Sequence, residues 1–189
     1  MPDTIAPDRL RPANATLGLS GPLDGLAQIV VPSRLSLRLA ADMARLALRG
    51  DPSALGTAFG LALPTQPCRA AETDGRSALW LGPDEWLLLT PPGTLDADTT
   101  VPDAAVVDIG HRQVGLVLEG PGAADALAAG CPLDLHPTAF PVGMCTRTVF
   151  GKAEIVLWRQ DAARFHMEVW RSFAAYVHGL LERAAAAQP

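Results

Sequence analysis

A chain of 189 residues, 49% hydrophobic and 19% charged, can bury a substantial core without disulfides or metals to hold it together. Its 15 basic and 20 acidic residues leave a formal charge of −5 with no block of like charge, which excludes a surface built to grip a phosphate backbone. No apolar run reaches the ~18 residues of a membrane span, the N-terminus lacks the basic and apolar regions of a secretory signal, and Cys68, Cys131 and Cys145 stand at unrelated spacings that fit reduced thiols, so a cytoplasmic protein with no membrane and no nucleic-acid partner is expected.

Residues 1–25 are rich in proline, glycine and small polar side chains without a sustained period, and read as an N-terminal arm. Short strands are predicted over 26–31, 35–39 and 44–48; the last sets Leu46 and Leu48 against Arg45 and Ala47 until Gly50-Asp51-Pro52 stops it. Asp51 is placed to cap a helix with Pro52 at its first position. Leu55, Phe59 and Ala62 follow at near-helical spacing, and the helix ends before Pro64. Residues 65–75 read as loop. Over 76–90, two apolar runs carrying Trp80 and Trp86 flank Gly82-Pro83-Asp84, a tight turn with proline second, and together form a buried β-hairpin. A linker composition follows at 91–103.

The second half restarts with strands at 105–109 and 113–118 and a helix bounded by Gly120-Pro121 and Gly130. Further strands are predicted at 144–150 and 153–158, a turn at 159–163, and a strand at 164–170 that alternates Phe165, Met167 and Val169 against His166 and Glu168. The last element is a helix with Phe173, Tyr176, Val177, Leu180, Leu181 and Ala184 on one stripe and Ser172 as its cap. Strands this short, interleaved with three modest helices, leave too few residues for repeated parallel crossovers. The fold class is therefore α+β: two small lobes of short, mostly antiparallel strands with packed helices, 26–100 and 101–189, the second ending in an amphipathic helix.

Motifs that carry chemistry are missing from the sequence. Gly151-Lys152-Ala153 has neither the spacing nor the hydroxyl of a phosphate loop, no Gly-x-Gly-x-x-Gly follows a strand, and Cys131, His136 and Cys145 lack the close spacing of zinc ligands. Nor does a Gly-x-Ser-x-Gly elbow occur. No catalytic, cofactor-binding or metal-ligating residue is assigned. Candidates for an interface or a pocket are Trp86, Asp108, His111, Arg112 and Arg171. Asp108, His111 and Arg112 follow a strand end, where polar groups line pockets, although an Asp there equally holds a turn by accepting from backbone amides. The four tryptophans are either a recognition surface or core. Arg171 pairs with a carboxylate of this chain or of a partner.

Five segments, Trp80-Leu-Gly-Pro-Asp-Glu-Trp-Leu-Leu-Leu89, Asp108-Ile-Gly-His-Arg112, Glu119-Gly-Pro-Gly-Ala123, Cys131-Pro-Leu-Asp-Leu-His136 and Trp170-Arg-Ser-Phe173, closely resemble the gamma subunit family of heterotetrameric sarcosine oxidase. The likeness runs from about Arg45 to about Leu181. It implies a complex of four different subunits, with alpha, beta and delta as partners, that oxidatively demethylates sarcosine to glycine and passes the one-carbon unit to tetrahydrofolate. In that family FAD, FMN, NAD and tetrahydrofolate are associated with the larger subunits, so no cofactor is expected on this chain. The resemblance implies an assembly component that is not itself catalytic.

Residues 108–157 also resemble, more distantly, the folate-binding aminomethyltransferases of the glycine cleavage system. Asp108-Ile-Gly-His111 is similar to their Asp-Val-Ser-His strand end with Gly110 replacing serine, and Gly120-Pro-Gly-Ala123, Asp134-Leu135 and Gly143 are similar to the elements that follow. Where those enzymes carry Ile-Asp-Asp, this chain reads Lys152-Ala153-Glu154. The resemblance implies an aminomethyltransferase/folate-binding-like fold without that family's catalytic carboxylate pair. The alternative reading is a stand-alone folate-binding one-carbon transferase or accessory protein.

Overall fold

The computed structural model describes residues 21, 23, 28–32, 34–94 and 99–187. The expected arm, 1–25, lies outside them apart from Gly21 and Leu23, and the Leu23 side chain is buried. In chain order the elements are β1 (Ile29–Val31), β2 (Leu35–Leu39), β3 (Ala44–Arg49), α1 (Pro52–Phe59), β4 (Ala70–Thr73), β5 (Arg76–Gly82), β6 (Glu85–Thr90), β7 (Ala105–Asp108), β8 (Gln113–Glu119), α2 (Ala123–Ala128), β9 (Cys145–Phe150), β10 (Ala153–Asp161), β11 (Arg164–Trp170), a 3₁₀ turn (Arg171–Phe173) and α3 (Ala174–Ala186).

Every strand pairing is antiparallel. The strands form a six-stranded sheet in the order β1-β2-β8-β11-β10-β9 and a five-stranded sheet in the order β4-β5-β6-β3-β7. The α+β class with antiparallel sheets is thus what the chain adopts. The sheets are not divided where the linker composition falls, however. β1 and β2, from the first half, pair into the sheet of the second through β2 and β8, while β7 crosses the other way to pair with β3.

Alternation along the β5–β6 hairpin explains the layering. Ala78, Trp86 and Leu88 face one way and pack with Leu55 and Phe59 of α1, whereas Leu79, Leu87 and Leu89 face the other sheet and meet Val156 and Trp158 of β10. A strand buried on both faces reads as a continuous apolar run, and Trp86-Leu-Leu-Leu89 does. On the far side of the six-stranded sheet, Ile155, Leu157, Phe165 and Met167 meet α2 and α3 through Leu127, Val177 and Leu181. Burying each such side chain contributes about 1.5–3 kcal/mol before conformational entropy is charged against it.

Local signals behave as their chemistry requires. The Asp51 carboxylate accepts from the Ala54 backbone N–H at 2.7 Å, and α1 stops at Gly60, whose φ of 63° lies in the left-handed region that glycine enters without a Cβ penalty. Three expectations are corrected. The 65–75 loop contains β4, a short strand at the edge of its sheet that pairs with β5. The turn expected at 159–163 is shorter, because β10 runs to Asp161 with a register shift between the buried Arg159 and Asp161. Ser172 does not cap the last helix: a 3₁₀ turn leads in, and Phe173 occupies the capping position without a side-chain bond. The inward face is accordingly Ala174, Val177, His178, Leu181 and Ala185, leaving Phe173 and Tyr176 outside and Leu180 half-buried.

Candidate functional site

Where the sheets face each other, β11 presents His166 and Glu168 inward. They alternate with Phe165, Met167 and Val169 as expected, but the face opposite the apolar one is covered by the second sheet. Glu168 is 0% exposed. Its Oε2 accepts from Nε of Arg45 on β3 at 2.6 Å, and its Oε1 lies 2.7 Å from His166 Nε2. Arg45 also donates from Nη1 to the Met43 carbonyl at 2.8 Å. Gly115, opposite Glu168 in the β8–β11 register, makes the room: a Cβ there would stand 2.8–2.9 Å from Ala40 Cβ, Arg45 Nη2 and Glu168 Oε1.

Burial pushes the Glu168 carboxyl up, but the hydrogen bond and charge of His166, and then those of Arg45, more than offset it and hold its pKa below the ordinary carboxylate value. With Glu168 ionised, His166 Nε2 carries the proton and donates. An ion pair so enclosed adds little net stability, yet it is costly to break from one side. Nothing in the sequence marked this trio, because alternation separates two faces of a strand without saying what covers the second.

The network lies between two openings. On one side is a cavity of about 30 Å³, room for about one water, lined by Trp86, Arg112, Gln113, Glu168 and Trp170. Beside it, Glu85 receives Arg49 Nη2 at 2.9 Å and Arg147 Nη2 at 2.6 Å. On the other side a groove of about 330 Å³ runs between the β4–β5 turn and β10–β11, with Trp158, Gln160 and His166 among its walls.

The sequence candidates separate into core, turn and surface. Trp86 is 1% exposed and donates from Nε1 to the Pro64 carbonyl at 2.8 Å, as a buried indole must. Asp108 Oδ1 accepts from the Gly110 backbone N–H at 2.7 Å and so holds its turn, with His111 exposed beyond it. The Arg112 guanidinium lies over the Trp170 ring, 4.8 Å from the centroid, and the Arg171 backbone N–H donates to the Arg112 carbonyl at 2.8 Å. Arg112 and Arg171 are thus brought side by side, and Arg112 shares a cavity wall with Trp86.

Other reactive residue types serve the fold. Cys145 is buried, its Sγ donates to the Trp80 carbonyl at 3.6 Å, and burial pushes its thiol up to about 12. Arg159, 3% exposed, donates to the carbonyls of Leu135, Phe140 and Ala162 at 3.1, 2.8 and 2.7 Å, pinning the loop before β9 to the β10–β11 turn. Among the described residues no three His, Cys, Asp or Glu side chains are grouped to hold a metal ion. Within Lys152-Ala153-Glu154, Ala153 is buried and Glu154 is exposed, 3.9 Å from Arg147 Nε.

Known proteins resemble this chain along most of its length. Residues 41–187 match the family described as sarcosine oxidase, gamma subunit family. The chain is 32% identical over 171 residues to the sarcosine oxidase subunit gamma of Corynebacterium sp. strain P-1, covering 84% of each chain, and 33% identical over 147 residues to that of Arthrobacter sp., covering 72% of each. Among solved structures, a chain of the heterotetrameric sarcosine oxidase from Corynebacterium sp. U-96, in complex with pyrrole 2-carboxylate, superposes with a TM-score of 0.81 at 30% identity, covering 89% of this chain and 95% of that one. The glycine cleavage system aminomethyltransferase T of Bartonella henselae superposes with a TM-score of 0.59 at 17% identity over 79% of this chain and 46% of its own, which is a likeness of fold.

Proposed function

Because the chain belongs to the sarcosine oxidase gamma subunit family, we propose that it is the assembly subunit of a heterotetrameric sarcosine oxidase and contributes no reacting group of its own. The observation that supports this most directly is the commitment of its interior ionisable groups to internal partners: Glu168 to Arg45 and His166, Arg159 to three carbonyls. Groups committed in that way hold elements together. The complex oxidatively demethylates sarcosine to glycine in the cytoplasm and passes the one-carbon unit to tetrahydrofolate. FAD, FMN, NAD and tetrahydrofolate are held by its larger subunits, and alpha, beta and delta are the partners of this chain.

Co-expression with the three other subunits tests the reading. The four chains should co-purify, and omitting this one should lower the yield of intact, active oxidase, while the isolated chain neither oxidises sarcosine nor retains flavin through gel filtration. Full yield and activity without it, or a flavin held by the isolated chain, would overturn the assignment. The other reading, a stand-alone folate-binding transferase or accessory protein, has the aminomethyltransferase-like fold behind it. Lys152-Ala153-Glu154 weighs against it, because its one carboxylate stands at the surface beside Arg147.

A further inference from the structure

Three of the large apolar side chains that remain exposed are gathered where the last strand turns into the last helix: Trp170 at 39%, Phe173 at 40% and Tyr176 at 39%. Scattered exposed apolar residues are ordinary, but a cluster of aromatic ones is not. Nor are these rings surplus from the core, since α3 fills it with Val177 and Leu181.

The cluster is also held in place. Phe173 and Tyr176 meet edge to face with centroids 6.4 Å apart. Tyr176 Oη accepts from the Lys152 backbone N–H at 3.2 Å, over Gly151, where a Cβ would come within 2.7 Å of that oxygen. Arg112 stacks on Trp170 and is tied to the 3₁₀ turn by its carbonyl. Rings fixed beforehand lose little rotamer freedom when something covers them.

Charge indicates what covers them. The chain carries a formal −5, yet two of the cations bordering this patch, Arg112 and Lys152, are exposed and have no carboxylate partner among the described residues. Aromatic side chains beside unpaired arginine are also the composition that dominates binding energy at protein interfaces.

We propose that Trp170, Phe173 and Tyr176, with Arg112 and Lys152, are the face by which this chain docks on another subunit of its complex, against a surface that offers apolar side chains to the rings and carboxylates to the cations. The proposal rests on the oxidase-subunit reading. Opposed charges steer the two surfaces together, and the rings, once desolvated, keep them together.

Phe173→Glu and Arg112→Glu, each co-expressed with the other subunits, test it, with Asp125→Lys on the exposed side of α2 as control. Phe173→Glu should weaken association by about thirtyfold or more, the loss at an interface hot spot. Arg112→Glu should slow association and remove its dependence on salt, and the control should assemble like the parent. Melting of each isolated chain shows whether it is folded; should Phe173→Glu melt early, Arg112→Glu with its salt dependence decides. If the parent assembles and both variants assemble equally well, the docking face is wrong while the subunit reading stands. If the parent fails to join the other subunits, both fall. A homodimer of the isolated chain, or its binding to anionic vesicles, abolished by Phe173→Glu would assign the patch to a second copy or to a lipid surface and overturn the proposal.

Discussion

Replacing Glu168 with glutamine keeps the side-chain shape at the centre of the two sheets and removes its charge. Arg45, 6% exposed, is left with a guanidinium facing a neutral amide, and His166 Nε2 loses its ionic acceptor. Breaking a buried pair from one side costs about 3–5 kcal/mol, because the stranded charge keeps its desolvation penalty. In a domain of this size 1 kcal/mol moves Tm by about 2–4 °C, so Glu168→Gln should melt about 6–20 °C below the parent at neutral pH. The folded-state pKa of Glu168 is depressed, so its contribution is fully present above the unfolded carboxylate value and is lost as pH falls through the folded one. The gap between parent and variant should therefore narrow below about pH 4. Circular dichroism melts from neutral to acid pH measure both effects. A variant that melts within 1–2 °C of the parent at neutral pH would refute the claim that Glu168 offsets a buried Arg45 charge.

Leu181→Asp puts a charge at a site 1% exposed in the core beneath α3 and should cost upward of about 4 kcal/mol, seen as loss of soluble chain or of its cooperative melt, whereas Leu180→Asp, half-buried, should be milder. The Cys145 thiol, pushed up to about 12 by burial, should resist iodoacetamide at pH 8 in the native chain and react after unfolding in urea. Rapid native labelling at that position, located by mass spectrometry, would contradict its enclosure. Calorimetric titration of tetrahydrofolate into the isolated chain should give no binding heat at high micromolar ligand; saturable heat would favour the transferase reading.

What could be read from the sequence was local or periodic. Asp51-Pro52 announces α1 because a carboxylate and a ring-locked φ act within one turn, and the hairpin around Gly82-Pro83-Asp84 is readable because two apolar runs meet at a turn that proline favours. β4 is not legible, since Ala70-Ala-Glu-Thr73 lacks alternation and carries a single β-branched side chain, Thr73, and becomes a strand by pairing with β5. The stripe of α3 was read one step out of phase: aromatic residues attract assignment to the core, yet Ala174 and Val177 occupy it. Asp108 and Arg112 were legible as a polar strand end, but their different roles, a turn brace and a cation over Trp170, depend on neighbours distant along the chain.

The exchange of strands between the two halves has consequences for how the protein is made and broken. Neither half can complete its own sheet: the first releases β1–β2 to β8, and the second lends β7 to β3. Folding must wait for pairings far apart along the chain, which slows it relative to a protein of the same length built from local hairpins. Once formed, the halves are clasped. A protease nick in the 91–103 connection should leave them together in native gels, and either fragment made alone should aggregate through the strand edge its missing partner would have covered.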